Sequence, residues 1–328
     1  MMSSLIRLPV RVLCKAGLGP RLLRADAGAP VVLLYHSVTT SSRGLAALDG
    51  KHLMADRFRG QLEMFRRRRR VVALAELLEA LRRGTDTRGM LAITFDDGYV
   101  GNCTCAAPIL ADFRMPATFF IATGFIGTER WMWTDRLEAA LDAAPAGEFV
   151  IPSSGERLRL GEPRQRMTVL RRIKSSLKRL HWREADARAR EIEHAVGFRG
   201  GEPTGLYRFM SWDQVRALAT GGFEIGAHTV NHVLLSRVPR HEAEQEIIDS
   251  RDQIIAELGR CSATFCYPNG KRSDYTAETV EFCRGHFTAA LSSEAGAARP
   301  QELFEVRRLG VGDGTSEALL ASRIVQAH

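Results

Sequence analysis

Short apolar runs rich in β-branched and aromatic residues recur along the chain: Val31–Tyr35, Leu91–Phe95, Thr118–Ile121, Phe223–Ile225, Thr264–Tyr267 and Thr288–Leu291. Each is too short for a helix and lacks the polar alternation of a half-exposed strand, so the pattern predicts strands buried on both faces. Between them, residues 58–65, 73–82, 100–113, 211–220 and 239–258 carry apolar positions at helical spacing, with Ile247, Ile248, Ile254 and Leu258 on one side of the last. Strand–helix alternation of this kind predicts an α/β fold built on a parallel sheet or barrel. One stretch departs from it. From about 130 to 208, Leu170, Ile173, Leu177 and Leu180 recur on one helix face amid dense charge, which predicts a helical insertion carried on the α/β core. There is no internal repeat.

Composition narrows the class. With 328 residues, 45% hydrophobic and 26% charged, the chain is an ordinary globular one, neither disordered nor collagen-like. No apolar run approaches the roughly 20 residues of a membrane-spanning helix. The net charge of +8 is unevenly spread. Residues 1–24 carry +5, residues 57–70 carry +6 and residues 157–183 carry +9, so the rest of the chain is at −12. Of the 46 basic residues 41 are Arg and 5 are Lys, a bias consistent with genome composition. The first residues, MMSSLIRLPVRVLCKAGLG, are acid-free and Ser- and Arg-bearing like a transit peptide. Arg7, Arg11 and Lys15 interrupt every candidate signal-peptide core, and Pro9 would break an amphipathic helix. Residues 1–30 are therefore read as a basic lead-in. The six cysteines have no framework spacing, which predicts reduced thiols and a cytoplasmic location.

Four clusters carry chemistry. Thr94-Phe-Asp-Asp-Gly98 sets two adjacent carboxylates at the C-terminal end of a strand, where barrels place their active sites. Two neighbouring carboxylates resist ionising together unless a cation offsets them, so a metal is a natural third party; a plain Asp-Gly turn is the competing reading. Glu224-Ile-Gly-Ala-His228-Thr-Val-Asn-His232 follows another strand, and histidines at i and i+4 of a helical turn project to one side and can grip one ion. Two histidines and a carboxylate leave coordination positions open, as a catalytic site requires. Phe265-Cys-Tyr-Pro-Asn-Gly270 is a tight turn after a strand, able to aim a backbone N–H into a cleft. Leu33-Leu-Tyr-His36 ends an apolar strand on a histidine.

In this order, and all at strand ends, these pieces resemble the polysaccharide deacetylase family, the NodB-homology group of carbohydrate esterase family 4. The resemblance runs from about 31 to 128 and from about 208 to 312, and it extends to Pro108-Ile-Leu, Pro116-Ala-Thr-Phe-Phe and Ser211-Trp-Asp-Gln-Val. The early Tyr35-His36 pair is similar to the branch of poly-N-acetylglucosamine deacetylases that act on exopolysaccharides. The family implies a distorted (β/α)7-type barrel spanning 31–328, with the insertion added to it. It also implies that Asp97, His228 and His232 hold a divalent metal, zinc first, and that Asp96 is the catalytic base. The oxyanion and substrate contacts would fall to Tyr267, Pro268 and Asn269, chiefly the Asn269 N–H, and the acid role to His36. The implied partner is an N-acetylated glycan of the cell envelope, or its lipid-linked precursor.

Three departures from the family pattern stand out. Many members have an Arg two residues before the turn's Pro, where this chain has Cys266; they often have an aromatic where it has Asn269; and no C-terminal Leu-x-His motif is present. Arg308 either replaces the missing orienting Arg or is a surface charge at a strand end. Trp131, Trp133 and Asp135 either line a sugar site or anchor the insertion. Cys266 and the missing C-terminal histidine keep a catalytically impaired sugar-binding protein in view, and an insertion that caps the cleft would favour a small-amide hydrolase of the same superfamily. The basic segments lack any nucleic-acid-binding motif, so no nucleic-acid partner is expected. They suit a peripheral contact with the inner membrane or with a lipid-linked, phosphate-bearing glycan.

Overall fold

The computed structural model describes residues 28–203 and 205–327, so most of the basic lead-in, with Cys14, lies outside the described residues. Seven parallel strands form the core: β1 (Val31–Tyr35), β2 (Met90–Phe95), β3 (Thr118–Ile121), β4 (Glu224–Ala227), β5 (Thr264–Cys266), β6 (Ala289–Leu291) and β7 (Leu309–Gly310). Their spatial order is β6-β5-β4-β3-β2-β1-β7, so neighbours in sequence are neighbours in space except at β7, which returns to β1. A two-residue strand, Arg70–Val71, pairs beside the start of β2. Just ahead of β7, Val306 bridges Leu291 in parallel while Leu309 pairs with Leu33, so the segment 306–310 touches both ends of the sheet and draws it into a distorted (β/α)7-type barrel.

Helices cover the outside: α1 (Ala55–Arg68), α2 (Leu74–Arg83), α3 (Ala107–Phe113), α4 (Trp133–Ala143), α5 (Pro163–Leu177), α6 (Trp182–Ala195), α7 (Trp212–Thr220), α8 (Arg240–Leu258), α9 (Ala277–His286) and α10 (Glu317–Val325). The period of two along the strands sorts the core into two layers. Leu33, Ile93, Phe119, Ile225 and Phe265 pack outward with Phe58, Leu62, Leu110 and Ile247 of the helices. Val32, Ala92, Phe120, Cys266 and Leu291 belong to a second cluster with Leu74, Leu77 and Leu81 of α2. Carried two and four residues on from Ala92, the same alternation brings Thr94 and Asp96 to the mouth of that inner layer. The Ser211-Trp-Asp-Gln sequence starts α7 as a capping box, Ser211 Oγ accepting from Gln214 N and Gln214 Oε1 from Ser211 N.

The insertion between β3 and β4 has its own core. Leu137 and Leu141 of α4, Leu170, Ile173 and Leu177 of α5, and Ala189 and Ile192 of α6 are buried together. It is not purely helical. An antiparallel hairpin, Gly147–Val150 with Arg157–Leu160, joins α4 to α5. Its alternation is confined to the four residues of the second arm, with Leu158 and Leu160 buried and Arg157 and Arg159 exposed, a signal that the surrounding charge hides in sequence. Among the described residues no helix is long and apolar enough to cross a membrane, and five cysteines are free thiols.

Candidate active site and metal centre

The C-terminal ends of the barrel strands open into one cleft of about 500 Å³ lined by His36, Asp96, Asp97, His228, His232 and Asn269, among others. After β2 the chain turns sharply. Asp97 takes a left-handed φ of 76°, and Gly98 follows at 95°, where a Cβ would meet Ile121 and Ile126 at 3.0–3.2 Å. The turn aims Asp96 into the barrel mouth and Asp97 along its rim.

Asp97 Oδ1 lies 3.2 Å from His232 Nε2 and 3.6 Å from His228 Nε2. One donor atom from each of the three residues falls within 4.8 Å of the others. The histidines are not on a helical turn, as their spacing had predicted. They occupy an irregular loop in which Thr229 (φ 63°) and His232 (φ 53°) are left-handed. Glu246 of α8 determines that shape: its carboxylate accepts from the backbone N–H groups of Val230 and Asn231 at 3.0 and 2.8 Å and from the Asn231 amide at 2.6 Å. The His228 Nδ1 lies 2.7 Å from the Cys266 carbonyl, which can only accept, so Nδ1 carries a proton and Nε2 is the atom turned toward the cluster.

The donor set fits a divalent cation. Burial alone would neutralise Asp97, but the imidazoles of His228 and His232 beside it hold it well below the usual carboxylate range. Burial likewise lowers the His228 imidazole, yet Cys266 and Asp97 beside it prevail and raise it well above its ordinary value. One carboxylate and two imidazoles, with a donor atom of each turned toward the others, make a donor set that a divalent transition-metal ion fits.

Asp96 has a different environment. Arg308, 1% exposed, grips it bidentately, Nη1 to Oδ1 at 2.8 Å and Nη2 to Oδ2 at 2.7 Å. The guanidinium is itself fixed by the Ser292 carbonyl at 2.8 Å and by Thr94 Oγ1 at 3.1 Å. Against the cost of burial, Arg308 and then His228 keep the Asp96 carboxyl below its ordinary range, hence ionised. Cys266 explains itself here. Its Sγ sits 3.0 Å from Arg308 Nη2 and 3.4 Å from Asp96 Oδ2, so a larger side chain at 266 would occupy the guanidinium's place. Asp96, His228 and Cys266 also bring donor atoms together, but Arg308 already supplies the positive charge there.

The 268–270 turn has Asn269 at φ 54° and Gly270 at φ 71°, where a Cβ would lie 2.8 Å from Ser293 N. The Asn269 N–H donates to no protein group among the described residues. Tyr267 and Pro268 stand behind the cleft rather than in it. The Tyr267 hydroxyl donates to the Phe304 carbonyl and its ring stacks on Tyr275 at 4.0 Å, which makes it a prop for the turn. Trp131 and Trp133 face open space beside the cleft, whereas Asp135 is fully buried on Lys51 and Tyr99.

The lysines were missed in sequence. Four of the chain's five, Lys51, Lys174, Lys178 and Lys271, line this one cleft. Lys51 pairs with Asp135, and Lys174 with Glu138 at 2.9 Å, both acids on α4. Lys178, at the end of α5, donates to Asn269 Oδ1 and has no carboxylate in contact. Burial, then the charge of Lys174, pushes its ammonium below the usual lysine value. Where nine basic residues in ten are Arg, each Lys was a signal.

A polysaccharide deacetylase family model matches residues 83–284, well over half of the chain. YxkH of Bacillus subtilis (strain 168), assigned to the same class, is 24% identical over 131 residues. That match takes in 40% of this chain and 46% of the relative, so the chain spans less than half the length of that curated relative. Among solved structures, the Streptococcus pyogenes deacetylase PplD in complex with acetate superposes with a TM-score of 0.59 at 16% identity, covering 90% of this chain and 98% of that one. IcaB from Ammonifex degensii gives 0.59 at 19% identity, covering 92% and 98%. These likenesses establish a shared fold, and the family match places the sequence within it. The chain belongs to the polysaccharide deacetylase family.

Proposed function

We propose that the protein is a metal-dependent hydrolase that removes N-acetyl groups from an amino-sugar glycan, releasing acetate and a free amine. One observation carries the reading: a carboxylate held ionised by Arg308 faces the same cleft as a three-donor metal cluster. Asp97, His228 and His232 would hold the cation, which when bound supplies Lewis acidity toward water and the acyl oxygen.

The chain's own groups divide the remaining work. Asp96 accepts the proton of the attacking water through its ionised carboxylate, which Arg308 keeps from rotating out of line. The Asn269 N–H donates to the oxygen on which negative charge develops. His36, half-buried at the end of β1 and lining the cleft, passes a proton to the leaving nitrogen. The acetate held in the PplD structure is the product this reaction would leave. The impaired-binder alternative drew its force from Cys266 and the missing C-terminal histidine; Arg308 supplies the guanidinium that Cys266 lacks, and the acid role falls to His36. The test is acetate release from N-acetylhexosamine oligomers: activity lost to EDTA and restored by zinc supports the reading, and activity indifferent to chelation removes it.

A further inference from the structure

The cleft does not end at the metal-ligating cluster. Past Met132, Trp133, Lys178 and His232, which line both spaces, it runs into a trough of about 420 Å³ walled largely by the insertion. Trp131, Trp133 and Trp182, three of the chain's four tryptophans, face into it. So do six cations, Arg130, Arg136, Lys178, Arg190, Arg199 and Arg237, against two acids, Glu129 and Asp186.

Pairing separates the six. Asp186 is used up by Arg136 at 2.7 Å and Arg190 at 3.0 Å, and Arg136 also grips Glu193. The other four have no carboxylate partner among the described residues. Arg130 spends its guanidinium on neutral acceptors, the Gly124 carbonyl and Asn231 Oδ1, both at 2.9 Å. Lys178 rests on the Asn269 amide, and Arg199 and Arg237 are exposed. Four cations therefore converge on a trough with only Glu129 to offset them. One of them, Lys178, is half-buried between the insertion and the 268–270 turn.

We propose that this trough is a subsite for an anionic substituent, a phosphate or carboxylate borne by the glycan, with the tryptophan faces taking the sugar ring. The proposal rests on the glycan reading above and names the substrate as an acidic, N-acetylated saccharide. Guanidinium forks match both anions through paired hydrogen bonds, and an indole face covers the apolar face of a pyranose.

The test is calorimetric titration of the full chain treated with EDTA, so that neither turnover nor metal ligation contributes. The probes are N-acetylglucosamine 1-phosphate, N-acetylglucosaminuronate and neutral N-acetylglucosamine. Both anions should bind about tenfold more tightly than the neutral sugar, with the margin shrinking from about 0.05 to about 0.5 M salt. The Arg199→Gln/Arg237→Gln variant, altered only at exposed positions, should lose most of that margin yet bind the neutral sugar as before. Preference for either anion supports the subsite and identifies which group it takes. Equal affinity for charged and neutral sugars, or an undiminished margin in the double variant, overturns it. Acetate release is not part of this readout, so failure of the deacetylase reading would register separately.

Discussion

The barrel mouth and the insertion both present charge to the same cleft, but they hold it in opposite ways. At the mouth every working group is over-determined. Asp96 has two bonds from one guanidinium, His228 is oriented by a carbonyl, and the His232 loop is tied by three bonds to Glu246. Among the described residues, four of the five non-glycine residues with left-handed φ, Asp97, Thr229, His232 and Asn269, cluster here, a strain that persists only in a rigid setting. The root of the insertion pins two cations of the cleft, Lys51 on Asp135 and Lys174 on Glu138, whereas Arg130, Lys178, Arg199 and Arg237 of the outer trough have no carboxylate partner among the described residues. Rigid placement suits chemistry, where small displacements are costly. Unpaired charge suits recognition, since a cation already neutralised gains little from a ligand.

The largest effect should come from the mouth. Asp96→Asn keeps the shape of the side chain but removes its basicity, and kcat should fall by about 1,000-fold with metal content unchanged, beside a stability loss of about 3 kcal/mol from leaving the buried Arg308 without its carboxylate. Steady-state acetate release beside a zinc assay decides it, and a loss under tenfold would move the base elsewhere. Next comes Arg308→Met, expected to lower kcat by about 100-fold with little change in KM, because it acts on Asp96 and not on substrate. A merely structural arginine would not be rescued by a guanidinium from another strand. Adding Cys266→Arg to Arg308→Met should restore most of kcat, whereas Cys266→Arg alone should destabilise the protein by crowding two guanidinium groups into one place. Absence of rescue would leave Arg308 without a positioning role.

What was legible in the sequence follows the same division. Strands buried on both faces announce themselves as apolar runs, so the residue pattern alone locates β1 to β6 and the residues at their ends. It does not locate β7, since Leu309–Gly310 is two residues long and owes its place to pairing with Leu33 and Leu34. The His loop was misread as a helical turn because spacing says which residues can meet, not what holds them. Glu246 lies 14 residues beyond His232 and looks like any helix surface acid. Arg308 was ambiguous for a related reason: burial turns a strand-end charge into a clamp, and burial is a property of the closed barrel. The insertion was recognisable as helical but not as a wall, because Lys178 and Asn269 are 91 residues apart and meet only in three dimensions.

The joint between the regions gives a smaller, structural test. Lys51 reaches from the barrel side to Asp135, which is fully buried and also accepts from the Tyr99 hydroxyl at 2.7 Å. Lys51→Met strands that carboxylate, and breaking such a buried pair costs about 3 kcal/mol. The loss should appear as faster hydrogen exchange across Trp133–Ala143, with β1 to β6 protected as before. Uniform deprotection of both regions would mean that barrel and insertion unfold as one unit.

The smallest effect is the most discriminating. Lys178 belongs to the insertion by sequence but touches the turn whose N–H is assigned to the oxyanion, so it has a claim in both regions. If the insertion only recognises, Lys178→Met should raise KM about threefold for a neutral oligomer, the scale of one weakened polar contact, and leave kcat within about twofold. Asn269 would then be held by the turn itself, through Ser293 Oγ donating to its carbonyl at 2.5 Å and the Ser293 N–H bonded to Gly270 O. A tenfold fall in kcat with KM unchanged would show instead that the ammonium sets the oxyanion donor. The insertion would then be part of the catalytic apparatus, and the separation between a rigid mouth and a recognising wall would fail at this residue.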